Sequence, residues 1–425
     1  MDAIHRLLAP VVFPRMVRIQ QIFDDACLRD IPAAVRDALA ACPAYARITP
    51  GMRLALTVGS RGIASLPVIV RAIVDALKDK GAEPFIVPAM GSHGGATDEG
   101  QKAVLLHLGV TEESVGCPIH SSLEVVQVGT LSDGFPVYMD KFAYESDGVV
   151  VFNRIKPHTG FRARHESGLL KMLAIGLGKH KGAESSHMMG FGNMPRIIEE
   201  ASAVHINGGK LALGVGTIES AYDEVAEIIA CGPEDFFQAD EDGLKKAFKN
   251  MPKLCVDKLD LLIVDEVGKE YSGGGMDSNI TGRYVTPYIS GGPDIDRIVA
   301  LDMTEGSHGN ASGIGLVDVV TASLIKKIDM AATYTNNITS KVPASSRLPM
   351  HFETEEMVIR CGLKTCRSVD YAKARVMRIP NTLHMREAFI SEVLLPEVEN
   401  RPDVRILGTP QPMRFNANGT LADPY

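Results

Sequence analysis

Short apolar runs alternate with amphipathic segments along most of this sequence, and this alternation restricts the fold more than any other feature. The apolar runs are typical of buried strands and lie at residues 54–58, 85–87, 148–152, 211–216 and 259–264. Between them, the spacing of apolar residues predicts helices at residues 67–80, 98–108, 221–229 and 234–249. This order of elements predicts an α/β protein whose mostly parallel sheet is covered by helices on both faces.

The length of 425 residues predicts two domains, because a single compact core seldom grows that large. We expect an N-terminal α/β domain at residues 1–270, which carries the chemistry, and a Gly-rich connection at residues 271–284. A smaller C-terminal α/β domain is expected at residues 285–397, followed by a tail at 398–425 that could return to the first domain. Within the smaller domain the sequence predicts strands at 298–301 and 374–378 and a helix at 316–326.

The composition argues against several classes of protein. We find no apolar run long enough to span a bilayer, and the first ten residues lack the cleavage pattern of a signal peptide. Seven scattered cysteines without zinc-ribbon spacing fit reduced thiols in a cytoplasmic protein. A net charge of −8 and a pI near 5.9 argue against nucleic acid as the main partner.

Reactive side chains follow three of the predicted strands. Ser60 and Arg61 come after the first strand, His93 after the second, and Lys156 and His158 after the strand at residues 148–152. Ligands of open parallel sheets bind beyond the carboxyl ends of the strands, so these side chains are candidates for one shared site.

The segment at residues 153–187 is strongly basic within an acidic protein. It holds seven Lys or Arg residues, four histidines and only two acids. Burying such a cluster costs free energy unless an anion or a metal ion compensates it. The alternative interpretation is a solvated basic loop, although the apolar residues within the segment favour a core.

Two glycine-rich turns carry side chains suited to a site. In G-S-H-G-G the glycines around His93 permit close approach of a ligand, and a histidine there could act as an acid or base. In G-S-R-G the Arg61 fork is a natural clamp for carboxylate or phosphate. A turn histidine without a role and a surface arginine are the corresponding alternatives. Neither turn is the G-x-G-x-x-G dinucleotide fingerprint.

Lys171 and His187 are 16 residues apart, which on one straight helix would separate them by roughly 24 Å. Glycines at 176, 178 and 182 allow the chain to turn back between them. The apolar surroundings of Lys171 would favour a neutral, nucleophilic amine. A surface lysine and a solvated histidine are the alternatives.

Taken in order, these residues resemble the nickel-pincer-nucleotide-dependent lactate racemase family. The similarity consists of the Arg61 loop, the G-x-H turn at His93, the P-H pair at His158, the S-G-x-x-K element at Ser167–Lys171 and the spacing from Lys171 to His187. The resemblance covers most of the chain and is best between residues 59 and 187.

The resemblance implies a role for each matching residue. Lys171 would form the covalent bond to the nickel-pincer nucleotide, and His187 would be the nickel ligand of the protein. His93 and His158 would be the catalytic acid–base pair. The residues implied to bind the cofactor are Lys171, Arg61, Ser60, Gly91, Ser167 and Gly168. Cofactor and substrate would then lie in the cleft between the two domains.

The resemblance also implies an isomerase, a racemase or epimerase of a 2-hydroxy acid. The hydrogen on Cα would move as hydride to and from the cofactor, while the two histidines would remove and return the hydroxyl proton. The implied partners are a small-molecule substrate and the cofactor-synthesis enzymes, with neither nucleic acid nor membrane involved.

Three departures from the family pattern argue against lactate itself as the substrate. Val58 replaces an acidic residue, and Gly282 and Val285 align with a glutamine and a lysine, with Arg283 between them. The segment from His158 to Lys171 is longer and adds Arg162, Arg164 and His165. We therefore expect a larger or more anionic 2-hydroxy acid, such as a sugar acid or a dicarboxylate.

Three other functions stay open on the residues alone. A metal hydrolase would need three protein ligands, but no H-E-x-x-H motif is present. A nicotinamide-dependent enzyme acting on a hydroxy acid would lack its glycine fingerprint. A non-catalytic nucleotide- or metal-binding homologue would have no need of paired bases.

Overall fold

The computed structural model describes residues 2–367 and 370–422 and divides the chain into two compact units. The continuous unit comprises residues 25–251. The discontinuous unit comprises the residues up to Asp24 and those from Pro252 onward. Both units are α/β, as the sequence predicts.

Strands and helices alternate through most of the chain. The strands are β1 Arg15–Gln21, β2 Arg53–Val58, β3 Glu83–Pro88, β4 Val125–Thr130, β5 Pro136–Asp140, β6 Gly148–Arg154, β7 Leu211–Glu219, β8 Val225–Cys231, β9 Lys258–Val267, β10 Asp294–Met303, β11 Val319–Thr321, β12 Met350–Phe352, β13 Val376–Ile379, β14 Glu387–Ser391, β15 Val404–Ile406 and β16 Gln411–Pro412. The helices are α1 Asp2–Leu8, α2 Ile31–Ala41, α3 Pro43–Ala46, α4 Leu66–Asp79, α5 Asp98–His107, α6 Glu112–Val115, α7 Lys141–Glu145, α8 Leu169–Lys171, α9 Lys179–Met188, α10 Met194–Asn207, α11 Phe236–Asn250, α12 Ser278–Thr281, α13 Ala322–Lys327, α14 Met330–Ser340, α15 Glu355–Thr365 and α16 Leu395–Val398. Among the described residues, no helix combines the length and the apolar character needed to cross a bilayer.

The sheet of the continuous unit has the order β3-β2-β6-β7-β8, and only the last pairing is antiparallel. Alternate residues of β2 enter two different cores. Leu54 and Leu56 pack in the cluster that includes α2 and α4, whereas Ala55 packs in the cluster on the other side, which includes α8 and α10. Burial of both faces explains the continuous apolar runs of the sequence.

The helix expected at residues 221–229 is wrong, because residues 221–224 form a turn and the rest of the segment belongs to β8. Asp223 adopts a left-handed conformation (φ 59°) in the turn that reverses the chain after β7. Val225, Ile228 and Ile229 are β-branched residues, which suit a strand that pairs antiparallel with β7. Their spacing also fits a helical period, so periodicity alone gave the wrong element.

The sheet of the discontinuous unit has the order β12-β11-β10-β9-β13-β14-β1-β15, and β16 also pairs with β1. Pairings from β12 to β13 are parallel, and those from β13 onward are antiparallel. Residues 319–321 form β11, so the helix expected at 316–326 is confined to its second half, α13.

The two units divide the chain differently from the expected domains. The division lies before β9 rather than in the Gly-rich segment, because β9 is hydrogen-bonded between β10 and β13. The tail returns to a neighbour within the discontinuous unit, since β15 and β16 both pair with β1.

Candidate active site

Three loops with reactive side chains leave the same edge of the sheet in the continuous unit. Neighbouring parallel strands β3, β2 and β6 end at Pro88, Val58 and Arg154. Ser60 and Arg61 follow β2, the turn with Gly91 and His93 follows β3, and His158 follows β6. The predicted placement of these residues beyond strand ends is therefore seen in the structure.

The loop after β6 is closed by a backbone bridge between Lys156 and Ser167. The Lys156 N–H donates to the Ser167 carbonyl at 2.9 Å, and the reverse bond is 3.3 Å long. Buried Glu166 accepts hydrogen bonds from the N–H groups of His158 (2.6 Å) and Ala163 (3.0 Å) and from Arg162 (2.9 Å). The loop therefore has a defined shape that presents His158 beside the S-G-x-x-K element.

The short helix α8 is held at its start by Asp240 of α11. The carboxylate accepts from the N–H groups of Leu169 and Leu170, both at 2.8 Å. A Cβ at residue 168 would lie 2.3 Å from that carboxylate, so only glycine fits at Gly168. The Gly168 carbonyl accepts from Asn153 at 2.7 Å. Gly168 thus has a structural role that is independent of any ligand.

Lys171 ends α8, and its ammonium form is disfavoured. Burial, together with Arg61 and Lys156, lowers the pKa of Lys171 to about 7, and Glu166 opposes this shift. The following residues Met172–Gly176 form a π-helical turn, a feature that often marks functional sites. A substantial fraction of Lys171 is therefore a neutral amine at neutral pH.

Arg61 contributes a second cation to these surroundings. The residue reaches solvent, yet desolvation by the surrounding protein and the nearby Arg154 lower the pKa of its guanidinium from the ordinary value. Arg154 itself forms an ion pair with Glu219. Because Arg61 also lowers the pKa of Lys171, the two groups lie within electrostatic range of each other.

His158 is kept neutral by its environment. Burial and the positive charges of Lys171, Lys156, His187 and Arg162 hold its pKa well below the ordinary value. The ring stacks on Phe161 with centroids 4.3 Å apart. Its Nδ1 accepts a hydrogen bond from the N–H of Gly160 at 2.9 Å.

His187 lies near the end of α9 and shares an aromatic neighbour with His158. The ring centroid of Phe191 is 5.8 Å from that of His187 and 6.1 Å from that of His158. The segment from Lys171 to His187 is not one α-helix, because the π-helical turn and the left-handed Lys179 (φ 53°) interrupt it. This agrees with the break expected from the glycines.

His93 lies in an exposed turn that packs on the segment carrying Lys171 and His187. Gly91 has φ 59°, its N–H donates to the Gly176 carbonyl at 3.3 Å, and a Cβ there would lie 3.3 Å from Ala183. The His93 Nδ1 is 2.8 Å from the carbonyl oxygen of Met90. Since that oxygen only accepts, Nδ1 carries the proton in the neutral ring.

The basic residues of the inserted segment mostly form hydrogen bonds or ion pairs with other residues of the protein. The two ring nitrogens of buried His165 lie 2.7 Å from Glu199 and 3.1 Å from the Phe237 carbonyl. Arg164 pairs with Glu241, and Arg162 with Glu166. The structure therefore uses the insertion largely to build the loop.

The Gly-rich element belongs to the discontinuous unit, where its polar residues also have structural partners. Asp277 accepts from the N–H of Asn279 at the start of α12. Arg283 forms an ion pair with Asp318 (2.6 Å) and donates to the carbonyls of Leu316 and Asp296. Arg283 thus ties together backbone segments of its own unit.

Sequence reasoning missed several residues that shape the site. Glu166 and Phe191 had no motif to mark them, and Asp240 is about 70 residues from the helix it caps. The sequence places Lys156 after the strand at residues 148–152 without indicating a role, but its charge lowers the pKa of both Lys171 and His158.

The residues around Lys171 are chemically compatible with a covalently attached, anionic group. Within residues 2–367 and 370–422, no group of three or more His, Cys, Asp or Glu is arranged to hold a metal ion. A nucleophilic amine surrounded by cations suits attachment of a phosphate-bearing group, and His187 offers one imidazole nearby.

Comparison with known proteins agrees with this picture. The sequence model of the lactate racemase N-terminal domain matches residues 29–197, a range that includes every proposed site residue. The structure is similar to that of the lactate racemase apoprotein from Thermoanaerobacterium thermosaccharolyticum, with 14% identity, 87% of this chain and 98% of that chain covered, and a TM-score of 0.51. No curated protein sequence matches the chain.

The N-terminal part of the chain and its strand-edge loops are thus similar to the N-terminal domain of lactate racemase. The resemblance inferred from the sequence is supported: residues 29–197 match the model of the lactate racemase N-terminal domain, and the fold is similar to that of a lactate racemase apoprotein. At 14% identity, the structural similarity speaks for the fold alone.

Proposed function

We propose that this protein is a racemase or epimerase of a 2-hydroxy acid that uses a nickel-pincer nucleotide attached to Lys171. The observation that carries the proposal is the position of Lys171 at the end of α8, in the S-G-x-x-K element whose helix start is fixed by Asp240. Burial and the nearby Arg61 support it, because they lower the pKa of this amine to about 7. An ordinary surface lysine would be almost fully protonated and a poor nucleophile.

His187 is the proposed nickel ligand of the protein. When bound, the cofactor would supply the group that accepts hydride from the substrate Cα and returns it to the other face. Nickel(II) with nitrogen and sulfur donors favours planar coordination, so one imidazole from the protein suffices if the cofactor provides the other donors. Ser60, Gly91, Ser167 and Gly168 complete the proposed cofactor-binding set.

The two proposed bases are held in complementary tautomers. His93 Nδ1 donates to the Met90 carbonyl, so its Nε2 has a lone pair that can take the hydroxyl proton. His158 Nδ1 accepts from Gly160, so its neutral ring carries the proton on Nε2 and can donate a hydrogen bond to the substrate oxygen. His93 is therefore set to take the hydroxyl proton, and the imidazolium that forms can return it while His158 holds the oxygen; His158 itself becomes a proton donor only when its ring has gained a second proton.

Arg61 and Lys156 are the cations proposed to bind the substrate carboxylate or the cofactor phosphate. Arg162 and Arg164 form ion pairs with carboxylates of the protein. They therefore contribute less positive charge for binding an anionic substrate than two unpaired arginines would. We retain a larger 2-hydroxy acid than lactate as the proposed substrate, because Val58, Gly282 and Val285 depart from the family pattern.

The test is isomerisation of a panel of 2-hydroxy acids by protein co-expressed with the cofactor-synthesis enzymes. His93→Ala and His158→Ala should each lower turnover by about 10²–10⁴ in both directions, the usual effect of losing a positioned acid or base. His180→Ala, an exposed position on α9, is the matched control and should retain turnover.

The same assay with substrate deuterated at Cα distinguishes the mechanism. Retention of the label in the product is expected if hydrogen moves as hydride. Rapid uptake of solvent hydrogen at Cα would instead indicate proton abstraction and would refute the proposed chemistry.

A further inference from the structure

A fully buried ammonium group joins the elements that carry the proposed site. The side chains of Lys179 and Asp140 are both 0% exposed, and their charged atoms are 3.1 Å apart. Lys179 Nζ also donates to the carbonyl of Pro88, at the end of β3, and to the Oε1 of Gln101 (3.2 Å). One cation therefore links β3, α5 and the start of α7.

Gln101 extends this link to the His93 turn. Its side chain is fully buried, and its Nε2 donates to the Gly91 carbonyl at 2.9 Å. The amide thus accepts from Lys179 on one side and holds the turn on the other. Lys179 itself begins α9 in a left-handed conformation, at the junction between the element with Lys171 and the helix with His187.

Asp140, the ion-pair partner of Lys179, is also hydrogen-bonded to the backbone just before Lys179. The Asp140 N–H donates to the Leu177 carbonyl at 2.7 Å, and its Oδ1 accepts from the Ala143 N–H at 2.9 Å. These two hydrogen bonds fix the orientation of the Asp140 carboxylate independently of its ion pair with Lys179.

We propose that Lys179 and Gln101 are positioning residues that fix the His93 turn relative to the segment carrying Lys171 and His187. A buried ion pair is a poor source of stability, since apolar residues of similar volume often serve as well. The hydrogen bonds and ion pair of Lys179 instead specify one relative arrangement of β3, α5 and the start of α7. The expected effect on kcat rests on the proposed function. The expected effect on the order of the His93 turn does not.

Gln101→Met is the most informative substitution. It removes the three hydrogen bonds of the amide, which join it to Lys179 and to the carbonyls of Gly91 and His93 (3.5 Å to the latter). It keeps an unbranched side chain and leaves the ion pair of Lys179 and Asp140 intact. Lys179→Met would leave Asp140 buried without a countercharge and could prevent folding. Gln127→Met, at an exposed position of β4, is the matched control.

The first readout needs no cofactor. Hydrogen–deuterium exchange of the apoprotein should become faster in peptides covering residues 89–97 of Gln101→Met and stay unchanged over residues 180–188 and in the control. Gln101→Glu retains an acceptor for Lys179 but lacks the donor to Gly91, so it should show the same faster exchange. Wild-type exchange in Gln101→Glu would overturn the proposed link to Gly91.

The second readout is the kinetics of loaded enzyme. Nickel content should be unchanged in Gln101→Met, kcat should fall on the order of 10²-fold because the base is displaced, and KM should change little. Wild-type kcat would overturn the inference, provided that His93→Ala is inactive. If His93→Ala is active, the proposed acid–base assignment fails, and the exchange result alone decides the inference.

Discussion

Lys171 is predicted to lower the stability of the cofactor-free protein. Its folded-state pKa of about 7 lies below the ordinary value of about 10.4, so the unfolded chain binds more protons between these pH values. The free energy of unfolding therefore rises with pH across this window. At pH 7 and below, nearly all of the destabilisation caused by burying the protonated amine of Lys171 is present.

Lys171→Met should remove this cost. We expect the free energy of unfolding of the apoprotein to increase by on the order of 1–3 kcal/mol at pH 7, with a smaller gain at pH 9. Urea denaturation at both pH values measures it, with Lys181→Met at an exposed position as control. A loss of stability at pH 7, or an equal gain at both pH values, would contradict the lowered pKa.

Individual residues of the site could be predicted only where a motif marked them. The sequence proposes Arg61, His158, Lys171 and His187 as site residues, and the structure brings their charges or rings into one neighbourhood. Lys179 could not be recognised, because nothing in L-G-K-H-K-G distinguishes a buried lysine from a solvated one.

The short helix α8 depends on a partner that is remote in sequence. Asp240→Ala would leave the N–H groups of Leu169 and Leu170 unpaired in a buried place. We expect a loss of about 1–3 kcal/mol in the free energy of unfolding, measured by thermal or chemical denaturation. Asp240→Asn retains one acceptor and should lose less, and equal stability of wild-type and Asp240→Ala would show that the cap is unimportant.

Elements with one clear signal were predicted well, and those with two competing signals were not. Buried runs such as β2 and β6 have no helical alternative at their length. The segment of β8 fits both periods, and only its pairing with β7 decides the outcome. The bridge between Lys156 and Ser167 is likewise a tertiary contact, and no local sequence pattern predicts it.

At the scale of the whole molecule, the division into units was not predictable from composition. The Gly-rich segment resembles a linker, but β9 before it and β1 at the other end of the chain are both strands of one sheet. Strand order is determined by side-chain packing across the sheet, which sequence proximity does not reveal.

The charge distribution predicts a salt dependence of the reaction. A basic segment in a protein of net charge −8 should attract an anionic substrate locally, and salt screens such attraction over about 8–10 Å. We expect kcat/KM to fall several-fold between low and 0.5 M salt while kcat changes little. A kcat/KM that is independent of ionic strength would argue against Arg61 and Lys156 as substrate-binding cations.

The most direct test of the account is the covalent state of Lys171 in protein co-expressed with the cofactor-synthesis enzymes. Peptide mapping by mass spectrometry should find an adduct on Lys171, and metal analysis should find about one nickel per adduct-bearing chain. His187→Ala should keep the fold and lose the nickel, whereas His180→Ala should keep both. Fully active protein with an unmodified Lys171 would contradict the central claim.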